Sequence, residues 1–205
     1  MFPTPCVRVS TDLLLGERFE RALVYATRLH RKQRRKGSGA PYAAHLLGVA
    51  SLVLEDGGSE DEAIAALLHD AVEDQGGRAR LDEIEREFGS QVAHIVDGCT
   101  DTDLSPKPPW RPRKESYVQA LASHDASVRR VSLADKLYNA RAILLDYRSL
   151  GDELWDRFDP ESDQLWYYRA LVSAFRETTE SPLVDELDRV VTELEQAVTA
   201  VHESS

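Results

Sequence analysis

Cysteine, methionine and long apolar runs are scarce in this 205-residue chain, which has two cysteines and one methionine. Cys6 and Cys99 are too few for a fold held by several disulfides, so we expect free thiols in a reducing compartment. No run of about 18 apolar residues is present, so we expect no membrane-spanning helix. The N-terminus lacks the basic segment and apolar run of a secretory signal. These absences predict a cytoplasmic protein with no membrane partner.

Positive charge is also scarce, because 25 lysines and arginines face 36 aspartates and glutamates, for a formal net charge of −11. A field of this sign argues against nucleic acid as a partner. An anionic small molecule would therefore need a local basic patch. The hydrophobic share of 42% and the chain length are typical of one globular domain with a substantial core.

Alternation of apolar and polar residues, which marks half-buried strands, is missing, and apolar residues recur instead at helical spacing. The chain is therefore predicted to be all-α. Thr11 or Asp12 is the expected N-cap of the first helix, and Ser59 with Glu62 forms a capping box for the third. Residues 101–112 contain four prolines and are expected to be irregular. Helices are predicted over about 11–30, 42–55, 59–76, 81–88, 90–97, 114–123, 126–148, 163–177 and 182–202.

The sequence HDAVED places four polar groups inside an otherwise apolar predicted helix. In an uninterrupted helix, His69 lies above Glu73 and Asp70 lies above Asp74 on nearly one face. Imidazole and carboxylate groups are costly to bury without a partner, and a cation is the simplest partner. The spacing therefore indicates a metal site.

His45 upstream and Asp135 downstream would complete a set of two imidazoles and two carboxylates around one ion. Mixed nitrogen and oxygen donors suit Mn, Fe, Co or Zn better than Mg or Ca. The spacing leaves one alternative open, a buried polar network of His69, Asp70 and Asp135 with no ion.

Three blocks of the chain follow one known pattern in order and spacing. The blocks are QRRK with PYAAH in residues 33–45, HDAVED in residues 69–74 and LADKLYNAR in residues 133–141. Their H…HD…D series resembles the signature of the HD phosphohydrolase superfamily. The HDxxED form resembles, more narrowly, the hydrolase domains of RelA/SpoT homologues and the small alarmone hydrolases. The resemblance covers roughly residues 15–150.

This resemblance implies an all-helical HD-type bundle that binds one Mn²⁺. The implied metal ligands are His45, His69, Asp70 and Asp135. The implied reaction is that of a guanosine-3′,5′-bis(diphosphate) 3′-pyrophosphohydrolase, which converts (p)ppGpp to GDP or GTP and pyrophosphate. We accordingly expect residues 1–205 to form a single HD phosphohydrolase domain. Its core would span about 11–150, with C-terminal helices of about 160–203 packed on it.

Glu73 and Asp74 are the candidate catalytic residues, because carboxylates beside a metal can orient the attacking water or act as general bases. Their alternative role is a solvent-facing acidic helix end. Arg35 and Lys36 are candidates for a phosphate clamp, with Arg as a fork and Lys as a point charge. Their alternative is a solvated helix end, which is the interpretation that we give to Arg31.

Four further residues are candidates for substrate binding. Tyr42 either stacks on a purine or packs in the core. Asn139 lies one helical turn after Asp135 and can hydrogen-bond a ribose or phosphate oxygen. Lys107 and Trp110 lie in a basic, proline-stiffened loop, which either closes over a polyphosphate as a specificity lid or is a surface excursion.

The exact substrate and the partners stay open. The turn between Lys36 and Pro41 is about one residue shorter than in metazoan-type relatives, which leaves ppApp and NADPH as alternatives to ppGpp for the same chemistry. A catalytically silent HD module that binds a nucleotide or a partner helix is the alternative of a different class, and the retained acidic pair argues against it. Aromatic residues at 155 and 166–168 either pack the last helices onto the bundle or form a homo-oligomer contact.

Overall fold

The computed structural model describes residues 14–102 and 106–203, and this part of the chain contains ten α-helices, one 3-10 helix and no β-strand. The predicted all-α fold is confirmed. The elements are α1 (Glu17–Leu29), α2 (Ala43–Glu55), α3 (Glu60–Leu68), α4 (Ala71–Gln75), α5 (Gly77–Phe88), α6 (Ser90–Cys99), α7 (Trp110–Ala120), α8 (Ala126–Leu150), the 3-10 helix (Gly151–Arg157), α9 (Gln164–Thr178) and α10 (Pro182–Glu203).

Helix α3 is the centre of the bundle. Every residue from 63 to 68 is fully buried, and a helix that is apolar on all sides must be surrounded by other elements. It packs against α1, α2, α6 and α8. The predicted capping box starts it, because Ser59 accepts a hydrogen bond from the Glu62 amide and Glu62 accepts one from the Ser59 amide. Because residues 63–68 are surrounded by other helices, the C-terminal end of α3, which precedes His69, lies deep in the molecule.

The single helix predicted over 59–76 is wrong, because the chain turns at His69 and Asp70 between α3 and α4. His69 Nδ1 donates a hydrogen bond of 2.8 Å to Ala66 O. In an uninterrupted helix that carbonyl pairs with the Asp70 amide, so the side chain competes with the backbone at this point. The backbone at Asp70 is at φ −90° and ψ −1°, outside regular helix. The acidic pair therefore lies on a separate short helix.

Three other boundaries also differ from prediction. The expected N-cap Thr11 or Asp12 lies outside the described residues, and the first helix begins only after Gly16. Helix α5 begins at Gly77 rather than about 81, and Gly76 and Gly77 at this start both have positive φ angles. Helix α7 begins at Trp110 rather than about 114, because Pro109 and Pro112 sit where no helical N–H bond is required.

The C-terminal helices cover one side of the bundle. Helix α10 packs against α8 and α9, and Asp163 caps α9 by accepting from the Trp166 amide. Tyr167 and Tyr168 are buried, which matches their expected packing role. Cys99 is a buried free thiol, whereas Cys6 lies outside the described residues. Among the helices of the described ranges, none is long and apolar enough to cross a membrane.

Candidate metal centre and catalytic pocket

Four side chains from separate elements converge on one point. His45 comes from α2, His69 ends α3, Asp70 precedes α4 and Asp135 comes from α8. The two histidine Nε2 atoms are 3.2 Å apart. Asp70 Oδ2 lies 3.3 Å from the first and 3.0 Å from the second, and Asp135 Oδ1 lies 3.3 Å and 3.5 Å from them. The fold thus assembles residues that are up to 90 positions apart in sequence.

The donor set fits a divalent transition metal. Because His69 Nδ1 donates to a backbone carbonyl, the ring in its neutral, metal-binding form directs the Nε2 lone pair toward the cluster. Both imidazoles are buried, and His45, His69 and Asp70 offer ligand atoms that all lie within 4.8 Å of one another. Two nitrogen and two carboxylate donors form a mixed set of the kind that Mn, Fe, Co and Zn accept.

Charge is crowded in this centre. Burial alone would lower the pKa of His69, but the adjacent Asp70 and Asp135 carboxylates outweigh it and raise that pKa well above its usual value. Burial opposes ionisation of Asp135, yet Lys136 and the histidines hold its pKa well below normal. Lys136 Nζ lies 2.7 Å from Asp135 Oδ2, on the side of the carboxylate away from the histidines. The chain therefore keeps its carboxylates ionised and ready to bind a cation.

The acidic pair on α4 is held by two different loops. Glu73 Oε1 accepts from the Asp101 amide at 2.8 Å, and Glu73 Oε2 lies 3.2 Å from Lys107 Nζ. Asp74 Oδ2 accepts from Gln33 Nε2 at 2.7 Å, on the opposite side. Burial, helped by the nearby Asp70 charge, raises the pKa of Glu73. Both carboxylates are held by hydrogen bonds, although Asp74 is exposed whereas Glu73 is half-buried.

The segment before α2 brings a basic group to the pocket. Arg35 donates through Nη2 to Asn139 Oδ1 at 2.7 Å, and Asn139 Nδ2 donates to Asp135 Oδ1 at 2.6 Å. The Tyr42 hydroxyl donates to Asp70 Oδ2 at 2.7 Å. Lys36 is exposed in the turn that follows. Tyr42 of this segment therefore bonds a metal ligand directly, and Arg35 reaches another through Asn139 of α8.

Lys107 and Trp110, predicted as neighbours in one lid, have different environments. Lys107 is half exposed and reaches Glu73. Trp110 is 7% exposed and packs its ring against Trp166 and Tyr167 of α9, with ring centroids 6.1 Å and 5.9 Å away. The lysine reaches the acidic pair on α4, whereas the tryptophan anchors the start of α7 in the core.

A family profile of the HD domain matches residues 22–167, which is more than half of the sequence and includes all the groups described above. The chain belongs to the HD-domain family. A human guanosine-3′,5′-bis(diphosphate) 3′-pyrophosphohydrolase, MESH1, is 42% identical over 120 residues, which is 57% of this chain and 64% of that protein. The matched part thus spans just under two thirds of the length of that relative. A probable enzyme of the same name from Synechocystis is 34% identical over 156 residues, 73% of this chain and 20% of that protein.

Two solved structures have a similar fold. A metazoan SpoT orthologue, described as hydrolysing ppGpp and acting in starvation responses, aligns with a TM-score of 0.73 at 26% identity. The alignment covers 90% of this chain and 98% of that one. A protein from Listeria monocytogenes aligns with a TM-score of 0.64 at 28% identity, over 72% of this chain and 96% of the other.

In this HD-domain protein, sequence reasoning missed three polar residues that contact the site. Gln33 binds Asp74, His30 binds Gln33, and Lys136 binds Asp135. Gln33 and Lys136 lie inside two of the three motif blocks, and His30 stands three residues before Gln33, at the first position of the HxxQxRK pattern that the first block resembles. These positions were the available signal.

Proposed function

We propose that this protein is a metal-dependent 3′-pyrophosphohydrolase of (p)ppGpp, releasing pyrophosphate and leaving GDP or GTP. The observation that carries the proposal is the convergence of His45, His69, Asp70 and Asp135 beside two separately held carboxylates. The named activity of the relatives supports the choice of substrate. The setting that fits this substrate is alarmone degradation in the cytoplasm, as part of a stringent-type response.

The resident metal that we propose is Mn²⁺, held by the four converging side chains. A divalent cation bound there supplies Lewis acidity toward a phosphoryl oxygen and lowers the pKa of water at the reacting phosphorus. Each of the two histidines contributes Nε2, and the second Asp135 oxygen stays paired with Lys136. Hard and borderline oxygen and nitrogen donors without thiolate are consistent with manganese.

Glu73 and Asp74 are proposed to orient the attacking water and accept its proton. Both carboxylates are within one short helix of the ligand Asp70, and both are fixed by hydrogen bonds rather than free to rotate. Such positioned general bases typically contribute about 10²–10⁴-fold to rate. Lys107, beside Glu73, is proposed to bind substrate phosphate at this side of the pocket.

Arg35 and Lys36 are proposed to hold the phosphate groups at the other side, with Arg35 already positioned by Asn139. Tyr42 and Asn139 contribute by fixing the ligand carboxylates that they bond. Trp110 contributes through the anchoring of α7. The proposed domain is the whole chain, and the proposed partner is a small nucleotide, with homo-oligomer formation as a further proposal.

The deciding experiment measures kcat/KM of the Mn²⁺-loaded protein for ppGpp, ppApp and NADPH, with the Glu73→Gln variant as the matched inactive control. We expect ppGpp to be the best substrate and pyrophosphate to be its product. Undetectable ppGpp hydrolysis alongside turnover of ppApp or NADPH would overturn the guanosine assignment but keep the chemistry. No turnover of any of the three would support a silent binding module.

A further inference from the structure

A layer of polar side chains that are not among the four proposed metal ligands contacts Asp74 and the ligand Asp70. It consists of His30 at the end of α1, Gln33 in the following turn, Gln75 at the end of α4, and Tyr42 before α2. Gln33 Oε1 lies 2.7 Å from His30 Nδ1 and accepts from Gln75 Nε2 at 2.7 Å. This layer joins the segment between α1 and α2 to the short helix α4.

The contact with Asp74 determines how the Gln33 amide is turned. A carboxylate oxygen accepts, so the Gln33 atom that faces Asp74 Oδ2 at 2.7 Å must be the NH₂ nitrogen. Gln33 Oε1 then faces the other way and accepts from Gln75 Nε2. Because Gln33 Oε1 also accepts from His30, Nδ1 of His30 must carry its hydrogen. The network therefore has a single consistent arrangement of donors and acceptors.

His30 connects this arrangement to the metal side. Its ring is 2% exposed and stacks on Tyr42, with centroids 5.2 Å apart and planes 18° apart. The Tyr42 hydroxyl donates to Asp70 Oδ2. Within the described ranges, His30 Nε2 has no hydrogen-bond partner. The ring is therefore held by the hydrogen bond of Nδ1 to Gln33 and by stacking on Tyr42. One buried histidine thus supports neighbours of Asp74 and of Asp70.

We infer that Gln33, seated by His30 and Gln75, is a positioning residue that aims the Asp74 carboxylate in the proposed hydrolysis. A carboxylate that must accept a proton is best held by a neutral donor, because a cation at the same place would make it a weaker base. The Gln33 amide supplies direction without charge. Glu73 differs, since Lys107 contacts it. The inference rests on the proposed function, and specifically on Asp74 as a reacting group.

The test is a double-mutant cycle with Gln33→Leu, which keeps the approximate size of the side chain and removes its hydrogen bonds. In the parent protein we expect kcat for ppGpp to fall about 10–100-fold, with KM and bound Mn²⁺ within about twofold of the parent, as is typical of outer-shell partners. In an Asp74→Ala background the same change should alter kcat by less than about twofold, since there is no carboxylate left to aim.

Two controls make the cycle specific. In a Lys107→Ala background Gln33→Leu should keep its full effect, because Lys107 does not bond Asp74. Gln91→Leu, at an exposed glutamine on α6, should leave kcat and the melting temperature unchanged. Gln75→Leu should lower kcat in the same direction as Gln33→Leu, but by less, because His30 still contacts the Gln33 oxygen.

The outcomes separate this inference from the proposed function. If Asp74→Ala alone leaves kcat unchanged, the proposed role of Asp74 fails. If Asp74→Ala lowers kcat but Gln33→Leu keeps its full effect in that background, Gln33 acts through the fold or the substrate, and the positioning role is overturned. A raised KM with unchanged kcat in Gln33→Leu would overturn it as well.

Discussion

Two polar clusters in this molecule differ in how far their positive and negative side chains balance. One lies at the metal centre and the other lies between α9 and α10. In the second cluster, Arg169 donates to Asp188, to Thr192 and to both oxygens of Glu195, and Arg176 donates to Asp188. Two cations face the Asp188 and Glu195 carboxylates, and Arg176 also lies 4.0 Å from the solvent-exposed Asp185, so every charge in the cluster has a partner within the chain. Its side chains are also partly exposed, at 23–54%. Such a cluster needs no further partner.

The metal centre lacks this internal balance. Asp70 and Asp135 are closest to two histidines, and Lys136 is the one lysine or arginine that pairs with these two carboxylates among the described residues. With both imidazoles in the neutral form that metal binding requires, the centre carries one net negative charge. Glu73 and Asp74 add two more carboxylates nearby. Carboxylate charge that is buried and unmatched within the chain therefore distinguishes a metal-binding site from a polar cluster that joins helices.

The largest effect should follow from breaking the unmatched cluster. We expect Asp70→Ala and His69→Ala each to lose bound Mn²⁺ and activity together, because each removes a metal ligand whose partners are already in place. Metal analysis of the purified variants and ppGpp turnover check this. Full metal occupancy in both variants would show that the ion binds elsewhere in the protein. Arg169→Leu, in the cluster between α9 and α10, is the control that should keep its metal.

The next largest effect concerns the two carboxylates beyond the ligands. Glu73→Gln and Asp74→Asn keep side-chain size and remove charge, so kcat should fall by about 10²–10⁴ while Mn²⁺ content stays near that of the parent. Steady-state kinetics with parallel metal analysis separates the two quantities. Turnover within twofold of the parent in both variants would instead indicate an acidic helix end with no chemical role.

The sequence predicted the ligands of the metal centre better than their surroundings. His45, the pair at 69–70 and Asp135 could be read from motif order, and the structure brings them within hydrogen-bonding distance. The break between α3 and α4 could not be foreseen, since no glycine or proline marks it. It depends on His69 Nδ1 reaching Ala66 O, which is a local side-chain contact invisible to periodicity.

Contacts between distant segments explain the other differences. Trp110 was expected at a lid, but rings of α9 some 56 residues later enclose it, and no local pattern reports such packing. The Pro109 and Pro112 pair suggested irregular chain, although proline is well tolerated in the first turn of a helix. His30 acquires its role only when Gln33 and Gln75 meet across the pocket.

A smaller effect should distinguish the basic residues before α2 from one another. Arg35→Ala should raise KM for ppGpp about tenfold, which corresponds to the loss of one charge-assisted hydrogen bond of about 1.5 kcal/mol. Lys36→Ala should raise KM in the same direction. Arg31→Ala, at an exposed position on the same run, should leave KM within twofold. Equal, small changes at all three positions would mean that the run is a solvated helix end.

The smallest effect should come from the cluster between α9 and α10, and it should affect stability only. Arg169→Leu removes hydrogen bonds to three partners and leaves Glu195 without its arginine, while Asp188 keeps its bond to Arg176. The guanidinium is 37% exposed, so water partly replaces the lost bonds. We therefore expect a loss of about 1–2 kcal/mol, or a few degrees in Tm for a chain of this size, with unchanged kcat/KM. Arg148→Leu is the matched control, because its ion pair with Glu193 is half exposed on both sides and should contribute less than about 1 kcal/mol. Thermal denaturation and ppGpp kinetics on both variants test this. A fall in kcat/KM with Arg169→Leu would mean that the two clusters are coupled through α9, and that charge balance alone does not separate structural from functional polar groups in this fold.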